Sequence, residues 1–102
     1  MKNSIRLFYN LKNYKMQVAV WDTYVTKKDG SIMHFDIIAP GHIKDENDIL
    51  TFGKDYLLSK NQQSQTLTSK ECSFCHIEQA SSEMIAAIEK QGYYIIEMDG
   101  CN

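Results

Sequence analysis

A single α+β domain, built as a mixed sheet of about four strands with two helices in the order ββαβαβ, follows from three observations. Two strand-like runs flank Asp29-Gly30, two stretches of helical spacing carry capping residues, and a β-rich run lies close to the C-terminus. With 102 residues, 43% of them hydrophobic, the chain has the size of one ordinary core.

The first strand is read over Gln17 to Thr26, where Val18, Val20, Trp21, Thr23, Tyr24 and Val25 are β-branched or aromatic and suit a pleated, half-buried surface. The second covers Ile32 to Ile38. Between them Asp29-Gly30 is a hairpin signal, because both central positions of a two-residue turn need positive φ. That turn pairs Lys28 with Ser31 and so sets Thr23 opposite Asp36 and Val25 opposite His34. Pro40-Gly41 ends the strand, and Asp45 caps a helix that carries Ile49, Leu50, Phe52, Tyr56 and Leu57 to about Lys60, with Gly53 weakening it. The polar tract Asn61 to Thr66 reads as an exposed loop. Ser81 or Ser82 starts a second helix with Met84, Ile85, Ala87 and Ile88; Gly92 stops it, and Tyr93 to Met98 form the last strand. The order of elements predicts both helices on one face of the sheet.

Four basic residues and no acid fall in residues 1–15, against seven basic and thirteen acidic residues in the remainder. Apolar positions in that segment are broken by Arg6 and Asn10 and no small-residue cleavage site follows, so it reads as an N-terminal extension to a domain over residues 16–102. A net charge of −2 without a basic stripe argues against nucleic acid, and no apolar span has the length of a membrane helix. Three cysteines cannot complete a disulfide framework, which points to a reducing cytoplasm.

Four blocks occur in order: Val18-Ala-Val-Trp-Asp-Thr-Tyr-Val25, His34-Phe-Asp-Ile37, Thr68-Ser-Lys-Glu-Cys-Ser-Phe-Cys-His76 and Gly92-Tyr-Tyr-Ile-Ile-Glu-Met98. Over roughly residues 16–101 the chain resembles a small bacterial family catalogued only as a domain of unknown function. The resemblance implies a compact sheet with two helices and no assigned activity, and it leaves residues 1–15 outside the pattern.

The most chemically specific string is Cys72-Ser73-Phe74-Cys75-His76. A haem attachment site lacks an export route, and a catalytic dithiol belongs at a helix N-terminus, whereas the helix starts several residues later. A zinc or iron site would take Cys72, Cys75 and His76, with Cys101, His34 or His42 as a fourth ligand. Backbone geometry decides. A helix would gather the three side chains on one face and a knuckle would let both thiolates chelate one ion. A strand, the geometry that fits residues 70–78 best and that the resemblance favours, holds Cys72 and His76 about 13 Å apart at ~3.3 Å per residue.

The predicted register groups Thr23, His34 and Asp36 as a polar cluster on one face, and His76 from another strand would complete a two-His, one-carboxylate set. Asp22 resembles the strand-end aspartate of phosphoryl-transfer enzymes, but Tyr24 stands where a second acid belongs. No glycine-rich phosphate loop or nucleophile elbow occurs. The sequence therefore points to a small binding or self-associating module without catalysis and without a required cofactor. A homodimer through Trp21, Tyr24 and Phe35 is the interaction expected, and a metal or thiol-redox protein centred on Cys72, Cys75 and His76 is the alternative.

Overall fold

The computed structural model describes residues 16–102, and the segment read as an extension lies outside the described residues. Strands β1 (Gln17–Thr26), β2 (Ile32–Pro40), β3 (Cys72–Gln79) and β4 (Tyr94–Asp99) form one sheet in the order β3-β1-β2-β4. Helix α1 (Glu46–Ser59) precedes β3 and α2 (Ser82–Gln91) precedes β4, giving ββαβαβ as the sequence predicts. All three ladders are antiparallel, so the sheet is not mixed in direction. No helix among the described residues is long and apolar enough to cross a membrane.

The hairpin loop is one residue longer than a two-residue turn. Lys27 N–H donates to the Ser31 carbonyl at 2.7 Å, Gly30 N–H donates to the Lys27 carbonyl at 2.9 Å, and Gly30 takes φ of 90°. This is a three-residue loop in which only the glycine needs the left-handed region. Asp29 fixes it by accepting from the Ser31 N–H at 2.9 Å and the Ser31 hydroxyl at 2.6 Å. Thr23 consequently faces Phe35, and Tyr24 rather than Val25 faces His34. Every cross-strand pair expected from the shorter turn is shifted by one, which exchanges the faces of β1 relative to β2.

The helices lie on opposite faces of the sheet, not on one. Ala19, Trp21, Val25, Met33, Phe35, Ile37 and Ala39 pack with Ile49, Tyr56 and Leu57 of α1, while Val18, Val20 and Ile38 pack with Met84 and Ile88 of α2. The physical reason is the run Val18-Ala19-Val20-Trp21, apolar on both sides of the pleat and thus unable to leave either face in water. Beyond Trp21 the strand alternates, with Thr23 and Val25 buried and Asp22 and Tyr24 not.

Each helix is fixed by local chemistry. Asp45 accepts from the Asn47 N–H at 2.9 Å, and Ser81 accepts from the Met84 N–H at 3.2 Å. Gly92, at φ of 96°, closes α2 with its N–H on the Ile88 carbonyl. The Tyr93 and Tyr56 hydroxyls donate to Asp55 and Glu97, tying α1 to the β4 side of the sheet. Burial, then these carboxylate partners, push both phenols above their ordinary range.

Gly53 is a close-approach position inside α1. A Cβ there would stand 2.6 Å from Leu67 Cδ2 and 3.0 Å from Ile37 Cδ1. Gly53→Ala is expected to destabilise by about 1 kcal/mol, because an overpacking penalty of about 1–3 kcal/mol exceeds the helix gain of about 0.8–1 kcal/mol. Urea unfolding of the two proteins measures it; a more stable variant would show that Leu67 moves aside freely.

Candidate functional site

Helix α2 has ten residues, so it reaches about 15 Å along the sheet and, on the two central strands, covers Val18, Val20 and Ile38. The other half of that face is left to Asp22 and Tyr24 of β1 and His34 and Asp36 of β2. Asp22 and Asp36 are directly opposite in the ladder, an arrangement in which like charges repel. His34 Nε2 stands 2.6 Å from Asp22 Oδ1, with the two side chains 22% and 36% exposed. Tyr24, directly opposite His34, stacks on the imidazole with ring centroids 4.0 Å apart and planes 10° apart.

The Asp36 carboxyl is held above the ordinary carboxylate range. Burial is the largest cause, followed by the hydrogen bond to Asp22 and that residue's charge, while His34 and His76 pull the other way. The arrangement therefore gathers one imidazole and two carboxyls that cannot both ionise without strain. One ligand atom from each of Asp22, His34 and Asp36 lies within 4.8 Å of the others. This is the nitrogen and oxygen donor set used by zinc, manganese and ferrous iron. Four-coordinate bonds of ~2.1 Å place ligand atoms about 3.4 Å apart, so the set fits after a rotation of the carboxylates.

Thr23 is not part of this cluster. It is buried on the opposite face, its hydroxyl donating to the Trp21 carbonyl at 3.1 Å and to Cys72 Sγ at 3.4 Å. The register that removes Thr23 brings in Asp22, which the sequence reading weighed only as a strand-end acid. The three-residue loop at Asp29-Gly30 is what brings it there, and Asp-Gly alone does not distinguish that loop from a two-residue turn.

Residues 72–79 are strand, and the cysteine motif does not converge. Val20 pairs with His76 and Trp21 with Phe74, leaving Cys75 without an opposite residue on β1, a β-bulge. The regular alternation is thereby broken. Cys72 packs in the α1-side core, whereas His76 pairs with Val20 of the α2 side. Burial pushes the Cys72 thiol up, opposed by the Thr23 hydrogen bond. Exposed Cys75 Sγ lies 3.1 Å from His76 Nδ1, and His76 Nε2 lies 2.7 Å from Glu78 Oε1. With both ring nitrogens engaged, His76 stays outside the group of Asp22, His34 and Asp36. Cys101 is buried with its thiol on the His34 and Asp99 carbonyls, and His42 is exposed. Of the three interface candidates, Trp21 and Phe35 belong to the core because odd positions of both strands face α1, and only Tyr24 is half exposed.

Fold and site together define a small α+β domain whose antiparallel sheet keeps one polar half-face open. The chain belongs to the family described as "Domain of unknown function (DUF2024)", which matches residues 16–98. It is similar to the protein NE1680 from Nitrosomonas europaea, a structural-genomics target solved by NMR, at 46% identity and a TM-score of 0.74 over 85% of this chain and 100% of that one. The search of curated proteins gives no match.

The separation of the thiols makes a direct expectation. All three cysteines are free, but only Cys75 is exposed, so one thiol per chain should react rapidly with a disulfide reagent under native conditions and three after denaturation. Rapid modification of two thiols in the native protein would contradict the placement of Cys72.

Proposed function

We propose that this protein is a binding module for a divalent metal ion of the zinc, manganese or ferrous class, held by Asp22, His34 and Asp36. The single observation that carries the reading is the placement of one imidazole nitrogen and two carboxylate oxygens within 4.8 Å of one another on an uncovered half-face. A cation would remove the Asp22–Asp36 repulsion and take the place of the hydrogen bond between His34 and Asp22. Tyr24, stacked on His34, holds the ring in place without occupying its nitrogens. Second-sphere orientation of this kind raises the precision of a metal ligand. Cys72, Cys75 and His76 are not part of this reading, since Cys72 is buried in the α1-side core away from the exposed pair of Cys75 and His76. The reducing compartment expected from the cysteine count is part of the same reading, supported by three thiols in no disulfide.

Calorimetric titration of the full chain with zinc chloride should give saturable binding that is lost in Asp36→Asn and in His34→Gln. Zinc at 100 times its Kd should stabilise the native protein by about 2.7 kcal/mol. Binding should weaken toward acid, because protons compete for the same atoms. Absence of heat and of a thermal shift, or equal binding by both variants, would leave the cluster as a hydrogen-bonded surface patch and overturn the proposal.

The metal-free protein carries its own expectation. Asp36 holds its proton more tightly folded than unfolded, so ionising it weakens the fold as pH rises from the unfolded carboxylate value through the raised folded one. Asp36→Asn should therefore stabilise the metal-free protein at neutral pH by about 0.2–1 kcal/mol, the range for cross-strand pairs. The gain should fade as pH falls below the ordinary carboxylate range, where Asp36 is protonated folded and unfolded alike. Chemical unfolding at three pH values measures it.

A further inference from the structure

A separate groove lies on the other face, between β1, β3 and the connection that leads into α1. Ala19 and Trp21 form its floor, Phe74, Ile77 and Ile43 its apolar walls, and Lys44 also lines it, around a volume of about 250 Å³. The Cys75 bulge creates this shape. Without an opposite residue for Cys75, Phe74 and Ile77 stand three positions apart yet both line the groove, 53% and 42% exposed. Phe74 meets Trp21 edge to face, with ring centroids 5.6 Å apart and planes at 73°.

Two polar features say what this groove takes. Trp21 is only 8% exposed, and its indole Nε1 is buried with no hydrogen-bond partner. Indole N–H is a donor only, and a buried donor without an acceptor is the exception in folded proteins. Lys44 is exposed and enters no ion pair among the described residues, while the neighbouring Asp45 carboxylate is turned onto the Asn47 N–H as a helix cap. An acceptor for Nε1, a negative charge for Lys44 and a flat apolar body for the Phe74, Ile77 and Ile43 walls are three requirements that one molecule can meet. The volume lies below the roughly 300–1,000 Å³ of drug-sized pockets, which limits that molecule to about one ring and a short acid chain.

We propose that the Trp21 groove binds a small aromatic carboxylate, its ring between Phe74 and Ile43 and its carboxylate shared by the Trp21 indole N–H and the Lys44 ammonium. The site uses none of Asp22, His34 or Asp36 and stands or falls apart from the metal reading.

Trp21 is the single tryptophan of the chain, so its emission reports the groove directly. The full chain titrated with phenylacetate should show a saturable change in tryptophan emission with Kd in about the micromolar-to-millimolar range. Lys44→Ala and Phe74→Ala, both at exposed side chains, should each weaken binding by about tenfold. Trp21→Phe, read by calorimetry, should weaken it comparably. Phenylacetamide should bind more weakly than phenylacetate. No saturable change up to about 10 mM phenylacetate, or unaltered affinity in both Lys44→Ala and Phe74→Ala, overturns the proposal. Equal affinity for the amide overturns the carboxylate assignment. A dimer in sedimentation that Phe74→Ala dissolves, with no phenylacetate binding, would assign the groove to a second copy of the chain instead.

Discussion

The closure of the β1–β2 hairpin is the constraint on which the rest depends. Asp29 accepts two hydrogen bonds from Ser31 and Gly30 alone enters the left-handed region, so the loop holds three residues and the register of the two central strands is set. Both outer strands are built on that register, β3 on β1 and β4 on β2. In a sheet with period two, a slip by one residue moves a strand's side chains to the other face. With this register Met33, Phe35 and Ile37 meet Trp21, Thr23 and Val25 on the α1 side. The same closure delivers Asp22 to Asp36 on the opposite side. Core and candidate site are thus two outcomes of one turn.

The faces are covered unequally. Fourteen residues of α1, together with Leu67 from the following connection, close one face over β1 and β2. On the other, α2 is confined between the Ser81 cap and Gly92 and closes only the half where Val18, Val20 and Ile38 lie. The strands answer this in composition: they are apolar on both sides of the pleat where both faces are covered and alternate where one is open. An open half-face explains polar side chains there. It does not explain two carboxyls placed opposite each other, partly buried, beside a clamped imidazole. A sheet surface gains nothing from that repulsion, and this distinguishes the cluster from an ordinary solvated patch.

The elements were legible because each rests on local chemistry: β-branched runs for β1 and β2, Asp45 and Ser81 as caps, Gly92 as a stop. Register was not legible, since Asp-Gly serves a two-residue turn and a three-residue loop alike, and the choice lies in side-chain bonds from Asp29 to Ser31. Helix placement had a signal in the continuous run Val18 to Trp21, which requires cover on both faces, although element order alone suggested one. His34 and Asp36 were therefore grouped on one face, with Thr23 in the place that Asp22 occupies. Nothing in Cys72-Ser73-Phe74-Cys75-His76 marks a bulge, as no glycine or proline interrupts it. A regular strand and a bulged one share that composition.

The bulge settles the meaning of the five-residue motif. In an even strand Cys72, Phe74 and His76 would share a face, and a ligand set spread along it would have to span the strand. With Cys75 left unopposed, Cys72 stays in the α1-side core with Phe74 on the same face, His76 turns to the α2 side, and Ile77 returns beside Phe74. The spacing that looks like a metal-binding string is therefore the spacing of a strand that changes phase once. Its chemical consequence lies in the neighbours it exposes, since the phase change that parts Cys72 from His76 also brings Phe74 and Ile77 together over the unpartnered indole of Trp21.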